Sequence, residues 1–115
     1  MMNVKNQIQL IGYLGIDPEE LNFEKGGKIT KVSLATRELF KVQEKWKENT
    51  LWHKLILRGK LGERAKKTLK KGDKLMVNGK LSYRSYTNAQ NQQVYITEIE
   101  VHNFILLNKN QITAA

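Results

Sequence analysis

Residues 50–86, TLWHKLILRGKLGERAKKTLKKGDKLMVNGKLSYRSY, decide the fold, because they predict a strand, a helix and a second strand in succession. Apolar residues recur at every second position over Thr50–Arg58, which is typical of a strand with one buried face. They then recur every four positions over Leu61–Lys71, which predicts a helix that Gly72 ends. The alternation returns over Lys74–Tyr86 and predicts the next strand.

The flanking sequence adds three further strands. Alternation predicts strands over Val4–Leu14 and Lys28–Arg37, and the Lys- and Glu-rich stretch Glu38–Asn49 is interpreted as a loop. A polar loop, Thr87–Gln93, precedes a final strand over Val94–Leu107. The order is β-β-β-α-β-β with the helix between strands three and four. It predicts an all-β, five-stranded Greek-key barrel of the oligonucleotide-binding (OB) type.

The positive charge is concentrated in one third of the chain. Of the formal net charge of +9, none comes from residues 1–40 or 81–115, in which acidic and basic residues balance. Residues 41–80 hold thirteen Lys and Arg against four Asp and Glu. Such a segment indicates a polyanionic partner, with a well-solvated lysine face as the alternative. The 115 residues suit one domain, predicted over 1–107, followed by a short polar tail at 108–115.

Several functional classes find no support in the sequence. There is no cysteine, and the two histidines have no metalloprotease spacing, so we expect no metal site. Phosphate-cradling and nucleophile-elbow motifs are also missing, so we expect neither a cofactor nor an enzyme. No apolar run reaches the ~18 residues of a membrane helix, and the start lacks the apolar block of a signal peptide. We therefore expect a cytoplasmic, nucleoid-associated protein.

Several motifs in a fixed order resemble a known family. They are Gly12–Glu19, Ser33–Thr36, Asn49–His53, Gly59–Glu63, Lys71–Asp73, Asn78–Tyr86 and Tyr95–Glu98. Over roughly Asn3–Leu107 the chain resembles the bacterial single-stranded DNA-binding proteins. The resemblance implies an OB barrel that assembles as a homotetramer and binds single-stranded DNA without strong sequence preference, protecting it during replication, recombination and repair. It also implies that His53 lies at a subunit interface.

The resemblance implies base-stacking roles for aromatic positions. Phe40 and Trp52 stand at aromatic positions of the family, and Tyr86 stands where tryptophan is common. Arg58 replaces a usual phenylalanine, although a guanidinium can also stack on a base and pair with phosphate. Trp46 is a further candidate, suggested by its place in the charged stretch rather than by the family.

Two further departures from the family pattern stand out. Tyr13 occupies a position where asparagine is commoner. Family members typically continue to an acidic tip that recruits other proteins, whereas this sequence ends at Ala114-Ala115 without one. Recruitment through such a tip is therefore not expected of this chain.

A mixed aromatic and basic face is the predicted binding site. Period two places Trp52, Lys54 and Arg58 on the side of their strand opposite the apolar set, where stacking and phosphate contacts can combine. The candidate DNA-binding residues are Arg37, Phe40, Trp46, Trp52, Lys54, Arg58, Lys80, Arg84 and Tyr86. Tyr83 and Tyr95 alternate with this set and are expected in the core or at its rim. The alternatives are an OB module that binds RNA or assists replication through protein contacts, and a purely structural oligomer.

Overall fold

The computed structural model describes residues 5–22 and 27–107. Its elements are β1 (Ile8–Leu14), β2 (Glu19–Asn22), β3 (Lys28–Val42), β4 (Lys45–Arg58), α1 (Gly59–Thr68), β5 (Lys74–Thr87) and β6 (Gln93–Leu106). The predicted tail 108–115 and the predicted strand start at Val4 lie outside the described residues.

Five of the strands close into a barrel. The hydrogen-bonded order is β1-β5-β6-β4-β3, and a further pairing of β1 with β3 closes the ring. All neighbouring strands of the barrel are antiparallel except β4 and β6, which run parallel. With α1 between β4 and β5, the predicted OB barrel is confirmed.

Strand alternation fills the barrel with aliphatic side chains. Leu34 of β3, Leu55 and Leu57 of β4, and Leu75 and Val77 of β5 are fully buried. Burying one such side chain contributes about 1.5–3 kcal/mol, so this inward set supplies much of the folding free energy. Ala65 of α1 and Leu69, just after the helix, join the same cluster. The helix therefore packs onto the barrel through its short apolar stripe and turns its lysines to solvent.

The loop predicted over Glu38–Asn49 is wrong, because this stretch forms the outer part of a long β3–β4 hairpin. The ladder continues to the pair Val42 and Lys45. Gln43 and Glu44 form the two-residue turn, with φ angles of 50° and 69°. Two positive φ values are what a type I′ turn requires, and its twist matches that of the flanking strands. This stretch has no buried face and therefore no apolar alternation, because every side chain from 37 to 51 is exposed.

Other boundaries also differ from the predictions. The short strand β2 was missed, since it forms a ladder with Lys28–Lys31 but has no alternating apolar pattern. The helix begins at Gly59 and ends at Thr68, earlier than predicted. Gly72 does have a positive φ of 93°, but it serves the turn that leads into β5 and is not the helix stop.

Candidate nucleic-acid interface

The predicted residues of β4 and β5 share the outward face of the barrel, where β6 lies between the two strands. Ile56 of β4 is level with Glu100 of β6, and Glu100 is directly opposite Lys80 of β5. Side chains two residues apart on a strand point to the same side. The outward face therefore carries Trp52, Lys54 and Arg58 from β4, Glu98 and Glu100 from β6, and Lys80, Arg84 and Tyr86 from β5.

Trp52 is a surface ring rather than a core residue. It is 62% exposed, although tryptophan in a strand is usually buried. The indole lies against Gly15: a Cβ on that glycine would stand 2.3 Å from the Cζ3 atom of the ring. The Gly15 backbone is itself fixed, because its N–H donates to the Ser33 carbonyl at 2.8 Å. The indole can therefore pack against residue 15 only because this residue has no side chain.

Arg84 is held by a buried carboxylate. Its Nε donates to Glu98 Oε1 at 2.7 Å and its NH2 group donates to Oε2 at 3.2 Å. Glu98 is only 3% exposed, whereas half of the Arg84 side chain faces solvent. The hydrogen bond with Glu98 is the main cause that raises the pKa of Arg84 above its ordinary value. The two hydrogen bonds therefore fix the guanidinium in one orientation.

Arg58 and Lys80 share the second carboxylate of β6. Arg58 Nε lies 3.4 Å from Glu100 Oε1, and Lys80 Nζ lies 3.9 Å from Oε2. Glu100 is more accessible than Glu98 and its contacts are longer. The position where the family usually has a phenylalanine thus holds a cation with a weakly bound counter-charge.

The β3–β4 hairpin carries the remaining candidates. Arg37 and Trp46 lie on the same side of the hairpin as Trp52, according to the register of the ladder. Trp46 is 69% exposed, with Lys41 Nζ 6.0 Å from its ring centroid. Phe40 lies directly opposite Lys47 and points to the other side. The structure therefore brings Arg37 and Trp46 to the face of Trp52, and places Phe40 on the reverse of the same hairpin.

The tyrosines of the β5–β6 hairpin are all accessible. Tyr86 is half-exposed on the side of Arg84, as the sequence predicted. Tyr83 and Tyr95 were predicted in the core or at its rim, and their exposure of 72% and 79% excludes the core. They lie on the other side of this hairpin, beyond the end of the barrel core. They do lie on the side opposite Arg84 and Tyr86, as predicted, but in the described part of the chain nothing packs over them closely enough to bury them.

Tyr13 lies on the same face as Trp52, although it was not among the predicted DNA-binding residues. It points outward from β1 directly opposite Ala35, which in turn is opposite Trp52. The Arg37 guanidinium carbon lies 5.6 Å from its ring centroid and Lys74 Nζ lies 6.0 Å from it. The available signal was its position in a strand between Gly12 and Leu14, both of which point inward.

His53 has a local partner on the inner side of β4. Its Nε2 lies 2.9 Å from Thr36 Oγ1, and the residue is half-buried. Within residues 5–22 and 27–107, no three His, Asp or Glu side chains come together as a metal site would require. No helix in the described part of the chain is long and apolar enough to cross a membrane.

A closed barrel with accessible rings and cations on one outward face defines an OB-fold protein of the oligonucleotide-binding class. The chain belongs to the single-strand binding protein family, whose model matches residues 5–107. This finding confirms the resemblance in the sequence.

Individual relatives agree with the family. A single-stranded DNA-binding protein of Xanthomonas campestris pv. campestris is 39% identical over 103 residues, which make up 89% of this chain. The match spans 60% of that relative's length.

Two solved structures share the fold. A Plasmodium falciparum SSB complex with ssDNA superposes with a TM-score of 0.81 at 31% identity, over 93% of this chain and all of the other. A deletion mutant of the single-stranded DNA-binding protein from Thermus aquaticus gives a TM-score of 0.78 at 25% identity, over 90% of this chain and 51% of the other.

Proposed function

We propose that this protein binds single-stranded DNA without strong sequence preference and protects it during replication, recombination and repair. The observation that carries the proposal is the accessible Trp52 indole on an outward barrel face that also bears Lys54 and Arg58. The family match and the likeness to a complex with single-stranded DNA support the same ligand.

The chemistry of the face explains how the ligand would be held. Single strands expose the flat faces of their bases, and stacking on an aromatic ring is worth ~1–3 kcal/mol per base whatever the base is. Trp52, Trp46 and Tyr86 offer such rings on one side of the two hairpins, and Phe40 offers one on the reverse of the first. Lys54 and the other cations of this face neutralise phosphates, so that affinity falls as salt rises. The role is binding alone, with no reaction and no cofactor.

The test is a titration of fluorescently labelled oligo(dT) of several lengths, followed by anisotropy at low and high salt. We expect the protein to bind oligo(dT) with an affinity that falls as salt rises. Unlabelled oligo(U) and duplex DNA should be poor competitors. Trp52→Ala should weaken it roughly 5- to 150-fold, the range that corresponds to the loss of one stacked base. Tyr83→Ala removes a ring of similar exposure from the other side of the β5–β6 hairpin and serves as the matched control.

Three results would contradict the proposal. Wild-type protein that binds no oligo(dT) would exclude single-stranded DNA as the ligand. A preference for oligo(U) would indicate RNA instead. Equal losses for Trp52→Ala and Tyr83→Ala would show that the outward face of β4 is not the site.

We also propose that the protein is a homo-oligomer, and specifically a tetramer. Ile11, Met76 and Ile105 are directly opposite one another on β1, β5 and β6 and form an apolar row on the outside of the barrel. Ile11 and Ile105 are exposed in the single chain, and a second copy could cover them. His53 is proposed to lie at a subunit contact. Light scattering after gel filtration should give about four times the chain mass of 13.3 kDa, whereas a mass equal to one chain would refute the proposal.

The cellular site follows from the proposed ligand. A protein that coats single-stranded DNA in a bacterial cell would work in the cytoplasm, where the nucleoid lies. We therefore infer a cytoplasmic, nucleoid-associated location. The domain is proposed to span residues 1–107, of which the structure describes 5–22 and 27–107.

A further inference from the structure

Tyr13 and Trp52 lie in one row on the outside of the barrel. Tyr13, Ala35 and Trp52 form a row across β1, β3 and β4. Adjacent strands lie about 4.8 Å apart, so the backbones at the two ends of this row are roughly 10 Å apart. The residue between them in this row is Ala35, whose side chain is a single methyl group. The Trp52 indole leans toward Gly15, which follows the end of β1 two residues beyond Tyr13.

Two cations accompany the Tyr13 ring. The guanidinium of Arg37 and the ammonium of Lys74 lie 5.6 and 6.0 Å from its centroid. Arg37 also pairs with Glu48 at 3.2 Å, but both of these side chains are largely exposed. Exposed pairs of this kind contribute little and exchange readily for another anion. A base stacked on the Tyr13 ring would therefore have two cationic groups near its phosphate.

We propose that Tyr13 is a further base-stacking position, which accepts the nucleotide next to the one on Trp52 while Arg37 and Lys74 bind its phosphate. The proposal rests on the proposed binding of single-stranded DNA and adds a subsite to it. Tyr13 is 41% exposed, so part of the ring is accessible without any movement of the backbone. The ring would add a stacking position level with Trp52, distinct from the position of Arg58 six residues further along β4.

The test compares Tyr13→Ala, Tyr13→Phe and wild-type protein in the same oligo(dT) titration. Tyr13→Ala should weaken binding by about fivefold or more, and Tyr13→Phe should stay close to wild type because it keeps the ring. Tyr95→Ala, which removes an exposed tyrosine from the other side of the β5–β6 hairpin, should have no such effect. Thermal melting monitored by circular dichroism shows whether each variant is folded.

A second measurement does not depend on the folding of any variant. Wild-type protein is irradiated in complex with an iododeoxyuridine oligonucleotide, and the cross-linked peptides are mapped by mass spectrometry. Adducts at Tyr13 as well as at Trp52 are expected. Normal binding by folded Tyr13→Ala, or adducts at Trp52 with none at Tyr13, would overturn the proposal while leaving the proposed function intact. A wild-type protein that binds no oligo(dT) would overturn both.

Discussion

The β3–β4 hairpin and the outward face of β4, β6 and β5 present their cations in opposite ways. On the hairpin, Arg37 pairs with Glu48 and Lys41 pairs with Glu44, and all four side chains are at least about half exposed. On the outward face, the carboxylate that holds Arg84 is almost completely buried. The same kind of ion pair is therefore a loose surface contact in one region and a fixed structural contact in the other.

The difference shows that a positively charged side chain is not always available to bind a phosphate. A pair between exposed side chains is worth ~0–1 kcal/mol, so an incoming phosphate can displace its carboxylate at little cost. A buried carboxylate cannot be left without a partner, because its desolvation would then go uncompensated. The hairpin cations are accordingly free to follow a flexible strand, whereas Arg84 keeps its guanidinium in one place. The net charge of +9 therefore does not count the available cations. Arg37, Lys41 and Arg84 all cancel against a carboxylate in that sum, although only the first two can readily exchange their partner.

The largest expected effect is a loss of stability when the buried Arg84–Glu98 ion pair is broken. Arg84→Ala would leave the buried Glu98 carboxylate without its two hydrogen bonds and should lower the free energy of unfolding by about 1–3 kcal/mol. Urea unfolding monitored by circular dichroism measures this loss. Lys54→Ala is the matched control, since Lys54 lies on the same face and has no ion pair among the residues that the structure describes.

Lys54→Ala should unfold like the wild type and bind single-stranded DNA more weakly at low salt. If Arg84→Ala were as stable as Lys54→Ala, the Arg84–Glu98 contact would be no stronger than the exposed pairs of the hairpin. The distinction between the two regions would then fail.

The sequence predicted those parts of the fold that burial dictates. Leu55, Leu57, Leu75 and Val77 alternate because one side of each strand must enter the core, and all four are buried. The outer half of the β3–β4 hairpin was missed because backbone hydrogen bonds and a two-residue turn stabilise it, and neither leaves a pattern of apolar residues. The helix was found, but its end was not, since Leu69 continues the apolar spacing in an extended conformation.

The site was only partly predictable for a related reason. Strand parity alone placed Trp52, Lys54 and Arg58 together, and the structure agrees. Nothing in the sequence shows that β6 lies between β4 and β5, so the contacts of Glu98 and Glu100 with the predicted cations were not foreseen. Neighbours across a barrel are set by strand order, which is a property of the whole chain.

The smallest expected effect concerns Glu100, whose burial is intermediate between that of the hairpin carboxylates and that of Glu98. It is a partly exposed carboxylate that contacts Arg58 at 3.4 Å and Lys80 at 3.9 Å, so it occupies cations that phosphates would otherwise take. Glu100→Gln keeps the shape of the side chain and removes this competition. We expect single-stranded DNA to bind a few-fold more tightly at low salt. The slope of the logarithm of the association constant against the logarithm of the salt concentration should steepen by about 0.7 for each cation that gains a phosphate contact.

The control for Glu100→Gln is Glu63→Gln, which makes the same change in net charge on the exposed side of α1. A purely long-range effect of charge would raise the affinity of both variants equally and vanish at high salt, because the Debye length falls to about 3 Å at 1 M. A local effect would raise the affinity of Glu100→Gln alone and would change its slope. If the two variants had the same slope, Arg58 and Lys80 would not be phosphate ligands, and the hairpin cations together with Lys54 would account for the salt dependence of binding.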